Sequence, residues 1–138
     1  FLLTILNICL FLQYYFYYHL KNLPFQEVLS FFAEKTTLLK EKKVNDIILD
    51  LGFGFGKTLE HNYELLKKME LFKNMNLPIL TGISRKSMLY KLLDTDPSQA
   101  LNATSITNTI ALQKGSSILR VHDVKEALEA IIILQQIS

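Results

Sequence analysis

Apolar positions along this 138-residue chain switch between two spacings, short unbroken runs and the three-then-four recurrence of a helical stripe. Ile47-Ile48-Leu49, within a strand predicted over residues 46–50, is a run of the first kind, and residues 79–83 and 118–121 hold two more. Between them the spacing is helical. Val28, Leu29, Phe31, Phe32, Leu38 and Leu39 form a stripe that starts near Pro24, a residue suited to a first helical turn, and reaches about Lys43. Leu65, Leu66, Met69 and Phe72 share one face of a helix predicted over residues 58–76 and stopped by Pro78. Residues 84–93 read as helical, and Asp94-Thr95-Asp96-Pro97-Ser98 as a turn. A further helix spans residues 98–114 before Gly115, a good terminator. The last, 124–136, turns Ala127, Leu128, Ala130, Ile131 and Leu134 inward. Short strands alternating with longer helices predict βα units on a parallel sheet, an α/β fold.

Residues 1–20 break this rhythm. They contain no Asp, Glu, Lys or Arg and match the roughly 20 apolar residues of a membrane span. No basic segment precedes them and no small-residue cleavage site follows. Asn7, Gln13, the aromatic run from Tyr14 to Tyr18, and His19 also make a poor lipid-facing helix. The segment reads as a strand over 5–12 followed by an aromatic stretch, or as a hydrophobic helix through Leu20. The chain thus divides into an apolar segment, 1–23, and an α/β domain, 24–138. A net charge of +2 is too small to argue for nucleic acid or an anionic membrane, and a cytoplasmic location is expected. Lone Cys9 forms no internal disulfide, and His19, His61 and His122 lack zinc-ligand spacing.

Candidate chemistry collects at three predicted strand ends. Asp50 opens Asp50-Leu51-Gly52-Phe53-Gly54-Phe55-Gly56-Lys57-Thr58, whose glycines allow tight turns and close approach to a ligand. A P-loop would need Gly at Leu51, and the dinucleotide fingerprint would need Gly at Lys57 or Leu59, so neither applies. Ser84-Arg85-Lys86-Ser87 follows the second strand, and Arg120-Val121-His122-Asp123 ends the third. In a parallel sheet these ends share the carboxyl edge, where active sites form. Singly, each has a plain structural alternative: Asp50 capping its turn, Lys86 solvated at a helix start, Arg120 paired with Asp123. Together they suit an anion beside a heterocycle. Arg120 and His122 fall on one side of their strand and can face one phosphate group, while Asp50 can only accept and suits an N–H-bearing ring.

Asp-x-Gly-Phe-Gly-Phe-Gly-Lys-Thr-x-Glu-His-Asn, Gly-x-Ser-Arg-Lys-Ser and Arg-Val-His-Asp-Val, in this order, resemble the dihydropteroate synthase family from about residue 25 to 137. Leu101-Asn102-Ala103-Thr104 resembles a further family element, with Ala103 where Gly is usual. The resemblance implies a TIM (β/α)8 barrel that joins 6-hydroxymethyl-7,8-dihydropterin diphosphate to 4-aminobenzoate in folate synthesis, with Mg2+ assisting departure of diphosphate. It implies that Asp50 and Lys86 bind the pterin and serve as the catalytic pair, that Arg120 and His122 hold the diphosphate, and that Phe55 and Ser87 border 4-aminobenzoate. Arg85 is expected to shape its loop rather than touch substrate.

Two departures qualify this expectation. Leu51 stands where the family has Pro, and loss of that fixed φ is expected to loosen the loop around Asp50. A TIM barrel takes about 250 residues, so the resemblance implies roughly the last four βα units. The family's metal-facing asparagine, its second pterin-facing acid and the loops over 4-aminobenzoate then fall outside the chain. The isolated chain is expected not to catalyse at a useful rate. The alternatives are an inactive remnant that self-associates, a half that pairs with a missing N-terminal half or another copy, and a membrane-anchored pterin-binding module using residues 1–20.

Overall fold

The structure, a computed structural model, describes residues 25–137. The expectations for residues 1–23, whether strand, hydrophobic helix or membrane anchor, and for Pro24 lie outside the described residues. Within them, no helix is long and apolar enough to cross a membrane.

Helix α1 (Phe25–Glu41) buries Phe25, Val28, Phe32 and Thr36, a stripe at the three-and-four spacing of one helical face. Leu38, predicted on this stripe, is exposed. Phe72 meets both Phe25 and Phe32 edge to face, with ring centroids 5.7 and 5.5 Å away. Strand β1 (Leu49–Asp50) follows and leads into the glycine loop. Helix α2 (Leu59–Lys68) starts at Thr58, whose hydroxyl accepts from the His61 N–H, satisfying a first-turn donor.

The helix predicted over 58–76 is not uniform. From Met69 to Met75 it tightens to 3-10 geometry before Asn76 turns left-handed at φ 53°. A period of three stacks Met69 and Phe72 on one side, and both are wholly buried.

Strand β2 (Ile79–Thr81) precedes a short helix α3 (Ser87–Tyr90), and strand β3 (Ile118–Leu119) precedes α5 (Val124–Gln135). The predicted helix over 84–93 shrinks to α3 because Arg85 is left-handed, at φ 52°, which bars helix to that point. Between α3 and β3 runs α4 (Leu101–Gln113). It begins later than predicted, since Pro97–Gln99 forms a separate 3-10 turn capped by Asp96, which accepts from the Ser98 N–H at 2.7 Å. Gly115 ends α4 at φ 102°, where a side chain would collide with the Lys73 stem.

The three strands pair in parallel in the order β1-β2-β3, which is also their order along the chain. Right-handed crossovers that always step the same way place their helices on one face of the sheet, as in a barrel. Burial follows this arrangement. Leu49, Ile79 and Thr81 are buried under the helices, whereas Ile118 and Arg120 are exposed. On α5 the buried residues are Ala127 and Ala130. Leu128, predicted to point inward, is 52% exposed, because it sits about 100° around the helix from Ala127.

Candidate functional site

The glycine loop is built around left-handed backbone. Gly52, Gly54 and Gly56 have φ of 66°, 80° and 62°, conformations that cost an L-residue roughly 1–2 kcal/mol each. Side chains tie the loop down. The Gly54 N–H donates to Asn62 Oδ1 at 2.7 Å, and Asn62 Nδ2 donates to the Thr58 carbonyl at 2.7 Å. Lys57 Nζ donates to the Gly52 carbonyl at 2.7 Å, and Lys86 Nζ to the Phe53 carbonyl. Leu51, at the position expected to loosen the loop, is wholly buried in the core.

Asp50 is held from two sides. Its Oδ1 accepts from the Gly52 N–H at 3.0 Å, and its Oδ2 lies 2.9 Å from Nη1 of Arg120. The carboxylate side chain is 14% exposed and the guanidinium side chain 49%, so one end of the pair faces solvent. Arg120 lies just past β3 and must cross the central strand β2 to reach Asp50 at the end of β1, about two strand spacings or ~10 Å. Gly82 makes the crossing possible. A Cβ there would sit 2.8 Å from Nη2 of Arg120.

A second set of contacts joins the β2 and β3 ends. Ser84 Oγ lies 3.0 Å from His122 Nδ1 and accepts from the His122 N–H at 3.2 Å. Arg85 donates from Nε and Nη2 to the two Asp123 oxygens, each at 2.9 Å, a fork geometry with strong directional preference. Its Nη1 donates to the Pro97 and Ser98 carbonyls, and its backbone N–H to Thr104 Oγ1. Asp123 is thereby held below the ordinary carboxylate range, chiefly by that Arg85 hydrogen bond.

Two lysines flank Asp50. Burial, with the neighbouring Lys86 charge, lowers Lys57 to about 7, while Asp50 opposes the shift. Burial, with the Arg120 charge, lowers Lys86 to about 8, again against Asp50. Lys86 Nζ also stands 4.4 Å from the centre of the Phe55 ring, a cation–π contact. Among the described residues no group of three or more His, Cys, Asp or Glu could hold a metal ion. Mg2+ is commonly held by one or two carboxylates beside water and substrate phosphates, and Asp50, the carboxylate of this loop, is already engaged by Arg120.

Asp50, Lys86, Arg120 and Phe55 are thus gathered around one loop, with His122 two residues beyond Arg120. Ser87 opens α3 beside Lys86, and no side-chain hydrogen bond links it to the others. The plain alternatives resolve individually. Asp50 does bond its own turn, but Arg120 pairs with it rather than with Asp123, and Lys86 is bound to the loop rather than solvated. Lys57, Asn62, Gly82 and Ser84 were not singled out from sequence. All four lie inside the quoted motifs, which were their only available signal.

The family described as "Pterin binding enzyme" matches residues 19–122. The chain belongs to that family. It is 42% identical over 113 residues to the dihydropteroate synthase of Escherichia coli strain K12, covering 80% of this chain and 40% of that one. With the dihydropteroate synthase of Haemophilus influenzae it shares 44% identity over 101 residues, 72% of this chain and 37% of the relative. The solved dihydropteroate synthase of Coxiella burnetii in complex with pteroic acid superposes with a TM-score of 0.75 at 38% identity, over 78% of this chain and 42% of that one. The chain thus spans about 40% of the length of the curated relatives it matches.

Proposed function

We propose that this chain forms about the last four βα units of a dihydropteroate synthase barrel, with residues 24–138 carrying the pterin- and diphosphate-facing part of its site. The observation that carries this reading is the Asp50–Arg120 pair at 2.9 Å, spanning three strands at one sheet edge. It joins an acceptor suited to ring N–H groups to a cation suited to phosphate. Asp50 binds the pterin ring, and Lys86, whose Nζ stands over the Phe55 ring, contacts the pterin from the other side. Arg120 and His122 hold the diphosphate. Phe55 and Ser87 border 4-aminobenzoate.

The reaction is a substitution at the pterin methylene. The C–O bond breaks, diphosphate leaves with the electron pair, the arylamine nitrogen forms the new C–N bond, and its surplus proton passes to water. Arg120 stabilises charge that develops on the leaving oxygen, and positioning of the two substrates supplies the rest. Mg2+, where bound, would neutralise diphosphate charge, with donors from beyond the described residues.

The 138-residue chain alone is a partial site. Calorimetric titration with the pterin diphosphate on the folded chain is expected to give measurable heat, with no useful turnover when 4-aminobenzoate is added. Absence of heat at millimolar ligand would remove the binding reading, and full turnover by the monomeric chain would remove the partial-site reading. A second reading, an inactive self-associating remnant, is favoured by the outward apolar residues of α5: Val124, Leu128, Ile132 and Ile133.

A further inference from the structure

We infer that Ser84 is a positioning residue that fixes the tautomer of His122, so that its Nε2 carries a proton and faces the diphosphate as a donor. The inference rests on the reading of His122 as a diphosphate ligand.

Hydrogen-bond capacity decides the tautomer. Ser84 Oγ has one proton and two lone pairs. The backbone N–H of His122, at 3.2 Å, can only donate, so Oγ accepts there. Ser84 is buried, and its other partner is His122 Nδ1 at 3.0 Å. If Nδ1 carried the imidazole proton, Oγ would accept twice and its own proton would be left in the interior without a partner. Native structures avoid such unpaired buried donors. The arrangement that satisfies every group has Ser84 donating to Nδ1, which places the proton of the neutral ring on Nε2.

The contact is rigid because the next residue on each side is also tied. Arg85 grips Asp123 through two hydrogen bonds of 2.9 Å and anchors its backbone N–H on Thr104. These ties hold Ser84 against His122, and with Nδ1 engaged by Ser84 the exposed ring has Nε2 left to meet a ligand. The opposite tautomer would aim a lone pair at an anion. With Ser84 in place, the neutral ring and the charged ring both present an N–H at Nε2.

Nitrogen-15 NMR of the histidine rings in the full chain, near pH 8.5 where an ordinary imidazole is neutral, tests this directly. His122→Gln identifies the His122 signals by their loss. The wild type is expected to show a single His122 tautomer protonated on Nε2. Ser84→Ala is expected to move both nitrogen shifts toward averaged values and to weaken inorganic diphosphate about three- to tenfold, while Ser84→Thr restores both. A wild-type ring protonated on Nδ1 would overturn the inference even if Ser84→Ala failed to fold. So would a folded Ser84→Ala chain with unchanged shifts and affinity. The expected tautomer in a wild type that binds no diphosphate would instead overturn the role of His122 as a ligand, leaving the hydrogen-bond assignment supported.

Discussion

Asp50 accepts a backbone hydrogen bond from Gly52 and the Arg120 guanidinium at the same time, so it is oriented before any ligand arrives. Asp50→Asn removes the charge and leaves Arg120 without its partner. Hydrogen bonds to charged groups contribute about 1.5–3 kcal/mol. Calorimetry should therefore show pterin diphosphate affinity falling roughly ten- to hundredfold. Lys57 offers a second test through pH. Its folded value of about 7 lies below the ordinary lysine value of 10.5. Below pH 7 folded and unfolded chains both carry the proton, and the folded chain bears the full desolvation penalty. Between 7 and 10.5 the unfolded chain holds more protons, so stability rises with pH and levels off above that window. Lys86, at about 8, adds to the same slope. Tyr63, raised by burial above its usual 10, acts in the opposite direction only beyond that pH. Urea midpoints at several pH values between 7 and 9.5 should climb for the wild type and flatten in Lys57→Met, leaving the Lys86 contribution.

At the scale of elements, the central strand decides whether the outer two can cooperate. Gly82 gives Arg120 its passage over β2, and the atoms a Cβ would strike belong to the end of a flexible side chain. Gly82→Ala is therefore expected to displace the guanidinium while changing stability by less than about 1 kcal/mol. The signature is pterin diphosphate binding weakened about tenfold with the denaturant midpoint nearly unchanged. Loss of stability together with binding would mean that Gly82 serves the fold instead. The helices apart from the short α3 were legible from apolar positions at helical spacing, as Phe25, Val28 and Phe32 show on α1. The strands were legible from short unbroken apolar runs, of which Leu49 and Ile79 are buried. What escaped were features set by distant partners. Arg85 is left-handed and α3 correspondingly short, and the partner of Arg85, Asp123, is 38 residues away. The change to 3-10 geometry at Met69 occurs where Phe72 packs against Phe32 of α1, a contact 40 residues away along the chain that local propensity does not encode. The candidate site was legible as three motifs at strand ends, but the pairing of Asp50 with Arg120 depends on strand order and register.

On the scale of the whole molecule, the sheet runs β1-β2-β3 with all its candidate chemistry at one edge, while α5 turns apolar side chains outward. These two surfaces separate the two functional readings. If self-association through α5 dominates, Ile133→Glu should shift sedimentation toward the monomer without altering pterin diphosphate affinity. The central claim is that the Asp50 loop and the Arg120 strand end form one ligand site. Amide chemical-shift mapping of the folded chain titrated with pterin diphosphate tests it most directly. The account predicts saturable shifts at Gly52, Gly54, Lys86, Arg120 and His122, with the outward face of α5 unmoved. An unchanged spectrum at millimolar ligand, or shifts confined to α4 and α5, would contradict it.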